Sequence, residues 1–177
     1  MEDLNQIERR AARIKLLLLD CDGVLTDGRL WPLENGDEHK SFNTKDGLGL
    51  TLLRRAGLRA GIISGRTSTA LERRAKELGV EFLRQGNEQK VAAFEDILRA
   101  AAISEDEVAF VGDDLSDIPL MRRVELAVAV ADAVEETRTA AHYITRAKGG
   151  KGAVREVIEI ILKSQGHWQD LVETYLK

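Results

Sequence analysis

The sequence predicts an α/β protein with a mainly parallel β-sheet and helices packed on its faces. Short apolar runs alternate with longer amphipathic stretches along most of the 177 residues, and this order is typical of consecutive βαβ units. Several of the apolar runs are followed by polar stretches rich in carboxylates. Ligands of parallel sheets bind at the carboxyl ends of the strands, so these polar stretches mark the candidate site.

Six strands are predicted from runs of apolar and β-branched residues. These runs are Ile14–Leu19, Arg59–Ile63, Val80–Leu83, Val108–Val111, Leu126–Val130 and His142–Thr145. Helical spacing of apolar residues lies near residues 46–56, 67–78, 88–101, 116–123, 133–140 and 151–164. A short surface helix is expected over residues 2–13, and a helix that packs on its own domain is expected in the tail 166–177.

One segment interrupts this alternation. Residues 29–42, RLWPLENGDEHKSF, hold Asn35-Gly36 between two short strand-like segments, which is a strong signal of a β-hairpin. Pro32 cannot donate a ladder hydrogen bond, so it favours an edge or exposed strand. On the residues alone, the hairpin covers one edge of the sheet. We expect one domain over residues 1–177, with this hairpin as a short flap.

The composition excludes several functional classes. Apolar residues make up 44% and charged residues 32% of the chain, and the net charge is −4, which argues against nucleic-acid binding. Residues 1–15 are charged, and no apolar run approaches the length of a membrane span. We therefore expect neither a signal peptide nor membrane contact. The single cysteine, Cys21, is expected to point into the core, and its lack of a partner fits a reducing cytoplasm.

Four stretches next to predicted strand ends carry complementary chemistry. They are DCDGVLTDG (20–28), SGR (64–66), QGNEQK (85–90) and GDDLSD (112–117). Asp20 and Asp22 can reach one cavity, and Asp113 brings a third carboxylate to the same edge. Such carboxylates repel one another unless a cation lies between them, and oxygen ligands suit Mg²⁺. Ser64 offers a hydroxyl donor and Lys90 a positive charge, which together suit a phosphate group.

In this order, the motifs resemble those of the haloacid dehalogenase superfamily of phosphohydrolases. The series D-x-D-G-V-L-T-D-G, Ser-Gly-Arg, Lys and G-D-D-x-x-D occupies residues 20–117. A narrower resemblance, over about residues 14–160, is carried by DGVLTDG, FNTKDGLGL, GIISGR, GDDLSDIP and GGKGAVREV. These motifs resemble those of superfamily members that dephosphorylate an eight-carbon ulosonic acid phosphate in lipopolysaccharide precursor synthesis. The resemblance implies a capless Rossmann-like core, Mg²⁺ as cofactor, a phosphorylated sugar-acid substrate and a cytoplasmic homotetramer.

The resemblance also implies a role for each motif residue. The implied roles are catalysis by Asp20 and Asp22, metal binding by Asp20, Asp22 and Asp113, substrate binding by Ser64, Gly65, Arg66 and Lys90, and support by Asp114 and Asp117. Asp20 would form an aspartyl-phosphate, while Asp22 would protonate the leaving oxygen and then activate water. Because no cap domain is inserted, the resemblance implies that hairpins of neighbouring subunits pack together, with Leu30 and Trp31 in the interface.

The residues themselves leave other interpretations open. Asp114 and Asp117 also suit the N-cap and first turn of the helix that follows them. Asp27 is interpreted as a turn residue rather than a ligand. Arg66 could bind the substrate carboxylate or form an ordinary ion pair, since structural ion pairs also gather at such places.

Three other functions are weighed against this interpretation. A phosphatase for a nine-carbon ulosonic acid phosphate would use the same chemistry, and Arg66 after Ser-Gly favours the eight-carbon substrate by family likeness. A phospho-receiver domain carries its phosphorylated Asp at the end of a middle strand, whereas here the third strand precedes Arg84 and the D-x-D follows the first strand. An inactive partner of a sugar-activating enzyme is disfavoured because all the catalytic residue types are present.

Overall fold

The computed structural model describes residues 3–86 and 89–177 of the chain. In this part of the chain the strands are β1 (Leu16–Leu19), β2 (Trp31–Pro32), β3 (Glu38–His39), β4 (Arg59–Ile63), β5 (Phe82–Arg84), β6 (Val108–Gly112), β7 (Leu126–Ala129) and β8 (Tyr143–Ile144). Six of them form one sheet in the order β5-β4-β1-β6-β7-β8, and every neighbouring pair in it is parallel. The predicted parallel α/β class is confirmed.

The helices lie close to their predicted positions. They are α1 (Leu4–Ala11), α2 (Thr44–Arg55), α3 (Thr69–Leu78), α4 (Lys90–Ala101), α5 (Ile118–Met121), α6 (Glu135–Ala140), α7 (Ala153–Ser164) and α8 (Trp168–Glu173). The helix predicted over residues 116–123 is divided into a 3₁₀ turn, Leu115–Asp117, and α5. Pro119 lies in the first turn of α5, where its missing N–H is tolerated. The predictions over residues 1, 2, 87 and 88 lie outside the described residues.

Strand β1 positions the site because it lies at the centre of the sheet. Its four leucines are fully buried, as expected of a parallel strand that is covered on both faces. Leu19 pairs with Ile62 of β4 and with Val111 of β6. The three strands therefore end at nearly the same height, and the residues that follow them meet at one edge of the sheet.

The hairpin predicted over residues 29–42 is present as the antiparallel pair β2–β3. Trp31 pairs with His39, and the turn is closed by a hydrogen bond from Leu33 N to Asp37 O of 2.9 Å. Because side chains alternate along a strand, the hairpin has two unlike faces. Glu38 is 6% exposed and faces the body of the protein, whereas Trp31 is 57% exposed.

The C-terminal segment packs on its own chain. Trp168 and Leu171 of α8 pack against the hydrophobic core, and the guanidinium carbon of Arg155 lies 5.2 Å from the centre of the Trp168 ring. This agrees with the predicted self-packing helix. Cys21 is fully buried in the same core, also as predicted. Among the described residues, no helix combines the length and the apolar character needed to cross a membrane.

Candidate active site

A cavity of about 170 Å³ opens at the carboxyl edge of the central strands. The residues that line it are Asp20, Asp22, Ser64, Gly65, Arg66, Lys90, Asp113, Asp114 and Ser116. All the predicted site residues except Asp117 line this cavity. Asp117 is fully buried and joins the same cluster through its contact with Lys90. Ser116 lines the cavity but is not among the predicted residues.

A larger cavity, of about 370 Å³, lies at the opposite edge of the sheet. It is formed where α2 and α3 end and where β4 and β5 begin. The charged pair in its lining, Arg59 and Glu81, is joined by a salt bridge of 2.7 Å. We place the candidate site in the smaller cavity, because that is where the unlike charges and carboxylates converge.

Lys90 links Asp20, which lines the cavity, to the fully buried Asp117. As the first residue of α4, it donates from Nζ to Asp20 Oδ1 at 2.7 Å and to Asp117 Oδ1 at 2.6 Å. Burial favours a lower pKa for Lys90, but the two carboxylates outweigh it and raise the pKa above its ordinary value. Lys90 is therefore charged at neutral pH, although a cation at the start of a helix is unfavourable in the helix dipole.

Asp117 also orders the loop that carries Asp113. Its Oδ2 accepts hydrogen bonds from the backbone N–H of Asp113 at 2.9 Å and of Asp114 at 3.3 Å. The carboxylate of Asp114 accepts a hydrogen bond from Leu115 N at 2.7 Å. Helix capping and organisation of the site are thus performed by the same residues. Gly112 is required before them, since a Cβ there would lie 2.5 Å from Cβ of Asp117.

Three carboxylates converge at this edge of the sheet. Asp20, Asp113 and Asp117 each present an oxygen atom, and these atoms lie within 4.8 Å of one another. Burial, together with Asp20 and Asp117, raises the pKa of Asp113 to about 8. Burial and Asp117 raise the pKa of Asp20 to about 6, even though Lys90 acts in the opposite direction. Crowded carboxylates of this kind fit a hard divalent cation, which prefers oxygen ligands.

A second lysine enters the site from the hairpin. Lys40 is 2% exposed in its side chain, and its Nζ lies 2.5 Å from Asp22 Oδ1 and 2.6 Å from Glu38 Oε1. The other oxygen of Glu38 accepts from Arg66 Nη2 at 2.9 Å. Sequence reasoning missed Lys40 and Glu38. The available signal was the strand alternation in DEHK, residues 37–40, which puts Glu38 and Lys40 on one face.

Ser64 and Arg66 also line the cavity. Ser64 is 1% exposed, and its Oγ accepts a hydrogen bond from Arg66 N at 3.3 Å. Arg66 lines the cavity while its guanidinium pairs with Glu38, so the ion-pair interpretation holds in the structure. Asp27 accepts a hydrogen bond from Arg29 N at 3.3 Å, as expected of a turn residue.

The loop before α7 packs against the turn that follows Asp22. Gly150 N donates to Val24 O at 2.9 Å, and a Cβ at position 149 would overlap the Gly23 carbonyl oxygen. Asp46 fixes the start of α7, because its carboxylate accepts hydrogen bonds from Gly152 N at 3.2 Å and Arg155 N at 2.8 Å. These glycines shape the turn into α7, as the sequence predicts, and they also hold the segment that carries Asp20 and Asp22.

Fold and site together define a hydrolase of phosphoric monoesters. Carboxylates, a lysine and a serine hydroxyl lie where the parallel strands end, which is the set of groups that phosphate chemistry requires. The family model of haloacid dehalogenase-like hydrolases matches residues 74–158. The chain belongs to this haloacid dehalogenase-like hydrolase family, which confirms the resemblance shown by the motifs.

Relatives and solved structures cover almost the whole chain. The 3-deoxy-D-manno-octulosonate 8-phosphate phosphatase KdsC of Escherichia coli is 46% identical over 157 residues, which are 89% of this chain and 84% of that protein. The crystal structure of 3-deoxy-D-manno-octulosonate 8-phosphate phosphatase from Yersinia pestis is 43% identical, covers 93% of this chain and 89% of its own, and superposes with a TM-score of 0.91.

A further solved structure bears on the cofactor. The 3-deoxy-D-manno-octulosonate 8-phosphate phosphatase of Moraxella catarrhalis, in complex with magnesium ion, phosphate ion and a KDO molecule, is 39% identical. The match covers 98% of this chain and 99% of that one, with a TM-score of 0.94. In the present chain, the carboxylates of Asp20, Asp113 and Asp117 could hold an ion of this kind.

Proposed function

We propose that the chain is a cytoplasmic, Mg²⁺-dependent phosphatase that converts 3-deoxy-D-manno-octulosonate 8-phosphate to 3-deoxy-D-manno-octulosonate and phosphate in lipopolysaccharide precursor synthesis. The observation that carries the chemistry is the convergence of Asp20, Asp113 and Asp117 within 4.8 Å next to the Lys90 ammonium group. The choice of substrate is supported by curated relatives of 44% to 46% identity that bear this phosphatase name.

The first half-reaction transfers the phosphoryl group to the enzyme. An Asp20 carboxylate oxygen attacks phosphorus, the bond between phosphorus and the sugar oxygen breaks, and an aspartyl-phosphate forms. Asp22, which lines the same cavity, gives its proton to the departing sugar oxygen. Covalent catalysis replaces one very slow hydrolysis by two easier steps.

The second half-reaction restores the enzyme. Asp22, now a carboxylate, removes a proton from water, and the resulting oxygen attacks the phosphorus of the aspartyl-phosphate. The bond between phosphorus and the Asp20 oxygen breaks, inorganic phosphate leaves, and Asp22 again holds the proton that the next cycle uses. One residue therefore serves as acid and then as base.

The cation and the phosphoryl oxygens are held by separate groups. Asp20, Asp113 and the backbone carbonyl of Asp22 would bind Mg²⁺, which when bound neutralises charge on the phosphoryl group. Ser64, Gly65 and Lys90 bind the phosphoryl oxygens, and Asp117 holds Lys90 in place through its contact of 2.6 Å. Asp114 supports this arrangement by capping the 3₁₀ turn that ends at Asp117.

Arg66 binds the substrate carboxylate. Its guanidinium lines the cavity and is 53% exposed, so a ligand can reach it. In the structure it pairs with Glu38 Oε2 at 2.9 Å. The carboxylate of a bound sugar acid would therefore take the place of Glu38 on the Arg66 guanidinium, or share the guanidinium with it. The phosphate end of the sugar acid would then point toward Asp20.

The oligomer completes the site. The proposed assembly is a homotetramer of single-domain chains whose 29–42 hairpins pack together and cover the open cavity. Leu30 and Trp31 are 48% and 57% exposed and supply the apolar contact such packing needs. Sedimentation velocity tests this part: tetramers in the parent chain and smaller species in a Trp31→Glu variant are expected, and a monomeric parent chain would contradict it.

The decisive experiment is phosphate release with Mg²⁺ from eight-carbon and nine-carbon ulosonic acid phosphates, compared side by side. Asp20→Asn is the blank, and excess chelator followed by added Mg²⁺ tests the cofactor. A strong preference for the eight-carbon substrate supports the proposal. Preference for the nine-carbon compound would retain the chemistry but change the substrate, and release from neither would overturn the proposal.

A further inference from the structure

Glu38 is a carboxylate of the hairpin that binds two cations at once. Its side chain is 6% exposed, and its two oxygens have different nearest partners. Oε1 lies 2.6 Å from Nζ of Lys40, which is 2% exposed, whereas Oε2 accepts hydrogen bonds from Nη2 of Arg66 at 2.9 Å and from Nε at 3.2 Å. One oxygen is thus anchored to a buried group, and the other holds a side chain that lines the cavity.

Glu38 uses only one edge of the Arg66 guanidinium. An arginine side chain has five N–H donors in a flat fork, and each of two edges can hold a carboxylate by two parallel hydrogen bonds. Nε and Nη2 form the side edge, which Glu38 occupies. Nη1 and Nη2 form the end edge, where Nη1 has no hydrogen-bond partner in the described part of the chain. Because Arg66 is 53% exposed, a ligand in the cavity can reach this edge.

A substrate carboxylate binds more favourably at the open end edge than in the place of Glu38. Displacing Glu38 would take the Arg66 hydrogen bonds from a charged oxygen in a buried side chain, which is costly. It would also leave the guanidinium free to rotate, and a ligand that must immobilise a long flexible side chain loses affinity. At the end edge the carboxylate instead meets a guanidinium that Glu38 already holds in one orientation.

We propose that Glu38 is a positioning residue for substrate recognition: it remains on the side edge of the Arg66 guanidinium and directs the end edge toward the carboxylate of the sugar acid. The inference rests on the proposed function, in which Arg66 binds that carboxylate, and it decides between sharing and replacement in favour of sharing. Glu38 itself does not line the cavity. Its effect therefore passes through Arg66 and is confined to substrates that carry a carboxylate.

The test compares two phosphate esters that differ in the carboxylate. With the Mg²⁺-loaded enzyme, KM and kcat are measured for 3-deoxy-D-manno-octulosonate 8-phosphate and for ribose 5-phosphate, which has no carboxylate. We expect Glu38→Gln to raise KM for the sugar acid about tenfold, the effect of one side chain that must be immobilised on binding. The kcat for the sugar acid and both constants for ribose 5-phosphate should stay unchanged, because the lost binding is the same in the ground state and the transition state.

The direction of the change distinguishes a positioning residue from a competitor. If the substrate carboxylate replaced Glu38, Glu38→Gln would remove a competing charge and KM would fall. A lower or unchanged KM would therefore overturn the inference, and so would an equal loss with both phosphate esters. Asp37→Asn, which loosens the same hairpin at Thr69 rather than at Arg66, is the matched control and should leave KM unchanged. Glu38→Asp keeps the charge and should raise KM less, and it serves as the test variant if Glu38→Gln does not fold by circular dichroism.

Arg66→Met separates failure of this inference from failure of the proposed function. It should raise KM for the sugar acid more than Glu38→Gln does, and Glu38→Gln should have no further effect in the Arg66→Met background, since both act on one contact. If Arg66→Met raises KM and Glu38→Gln does not, the substrate assignment survives and the role of Glu38 is wrong. If Arg66→Met leaves KM unchanged, the assignment of Arg66 in the proposed function is wrong, and the role of Glu38 falls with it.

Discussion

Two buried lysines bind carboxylates in this protein, and they belong to very different parts of it. Lys90 joins Asp20 and Asp117 at the start of α4, whereas Lys40 joins Asp22 and Glu38 at the end of a hairpin whose strands are two residues each. Helix α4 is anchored by the fully buried side chains of Phe94 and Ile97. The hairpin instead leaves one face open to solvent.

The difference lies in what surrounds each pair. The carboxylates that bind Lys90 are 8% and 0% exposed, and those that bind Lys40, Asp22 and Glu38, are 19% and 6% exposed. Glu38 also has a second cationic partner, Arg66, which is 53% exposed. A charge network within the core can be broken only at the expense of buried, unpaired charge. A network on a short hairpin can open locally, because few core contacts must be lost. The same kind of lysine–carboxylate contact therefore belongs to a fixed part of the core in one place and to a segment that can open locally in the other.

The largest effect is expected from Asp20→Asn, which removes one carboxylate of the Lys90 pair. Turnover should fall on the order of 10⁴-fold or more, as for loss of other enzymic nucleophiles, because an amide cannot form the phosphoenzyme. The fold should persist, since the side chain is isosteric and Asp117 still pairs with Lys90. Phosphate release measures the effect, with Asp27→Asn as the active control. Activity that survives in Asp20→Asn would remove the nucleophile from the proposal.

Lys90→Met should give the largest loss of stability. It leaves Asp20 and Asp117 buried and unpaired, and breaking a buried pair in this way lowers the free energy of unfolding by about 3–5 kcal/mol. Urea denaturation measures the change, and Lys76→Met, at an exposed position of α3, is the matched control. A loss no larger than that of the control would show that the contacts of Lys90 with Asp20 and Asp117 do not stabilise the fold.

The carboxylates around Lys90 also predict how stability depends on pH without a divalent cation. The folded-state pKa values of Asp20 and Asp113, about 6 and about 8, exceed the ordinary value of 3.8. Between about pH 4 and pH 8 the folded state holds more protons than the unfolded state, so stability should fall as pH rises. Added Mg²⁺ should abolish this fall. Stability that rises with pH between 5 and 8 in chelator would contradict the prediction.

Lys40→Met should destabilise the protein less than Lys90→Met, by about 1 kcal/mol, because Asp22 is 19% exposed and Glu38 keeps Arg66 as a partner. The comparison is direct, since both changes remove an ammonium group and keep a similar side-chain length. The same urea experiments provide the measurement. An equal loss for the two variants would mean that the hairpin is as firmly built into the fold as α4 is.

The smallest effect is expected for the docking of the hairpin on the body of the protein at acid pH. Hydrogen bonds from Arg66 and Lys40 outweigh the effect of burial and lower the pKa of Glu38 below its ordinary value of 4.5. The ionised carboxylate therefore stabilises the docked hairpin above that value, and this contribution is lost as pH falls through the lower folded-state pKa. Fluorescence of Trp31 in a Trp168→Phe background should change below pH 4.5 but not in a Glu38→Gln variant. An unchanged acid transition in that variant would exclude Glu38 as its source.

The parts predicted well from sequence depend on local patterns. The run of leucines in β1 and the polar residues after it are contiguous, so strand, turn and carboxylates could be placed together. The parallel order then put Ser64 and Asp113 at the same edge. The pairing of Lys40 with Asp22 depends instead on how the hairpin folds back over the site, and no periodicity in the chain encodes that path. The division of the helix predicted over 116–123 follows from Asp117 turning back to the Asp113 and Asp114 amides.

The contact of Gly149 with Gly23 has a consequence for anyone who wishes to alter this enzyme. A methyl group at position 149 would overlap the Gly23 carbonyl, and one at position 23 would overlap the carboxylate of Asp113. In a library of random substitutions, alanine should be as rare at these two positions as at Asp20, although neither glycine carries a functional group. A library that aims to redirect substrate choice should therefore leave Gly23 and Gly149 unchanged.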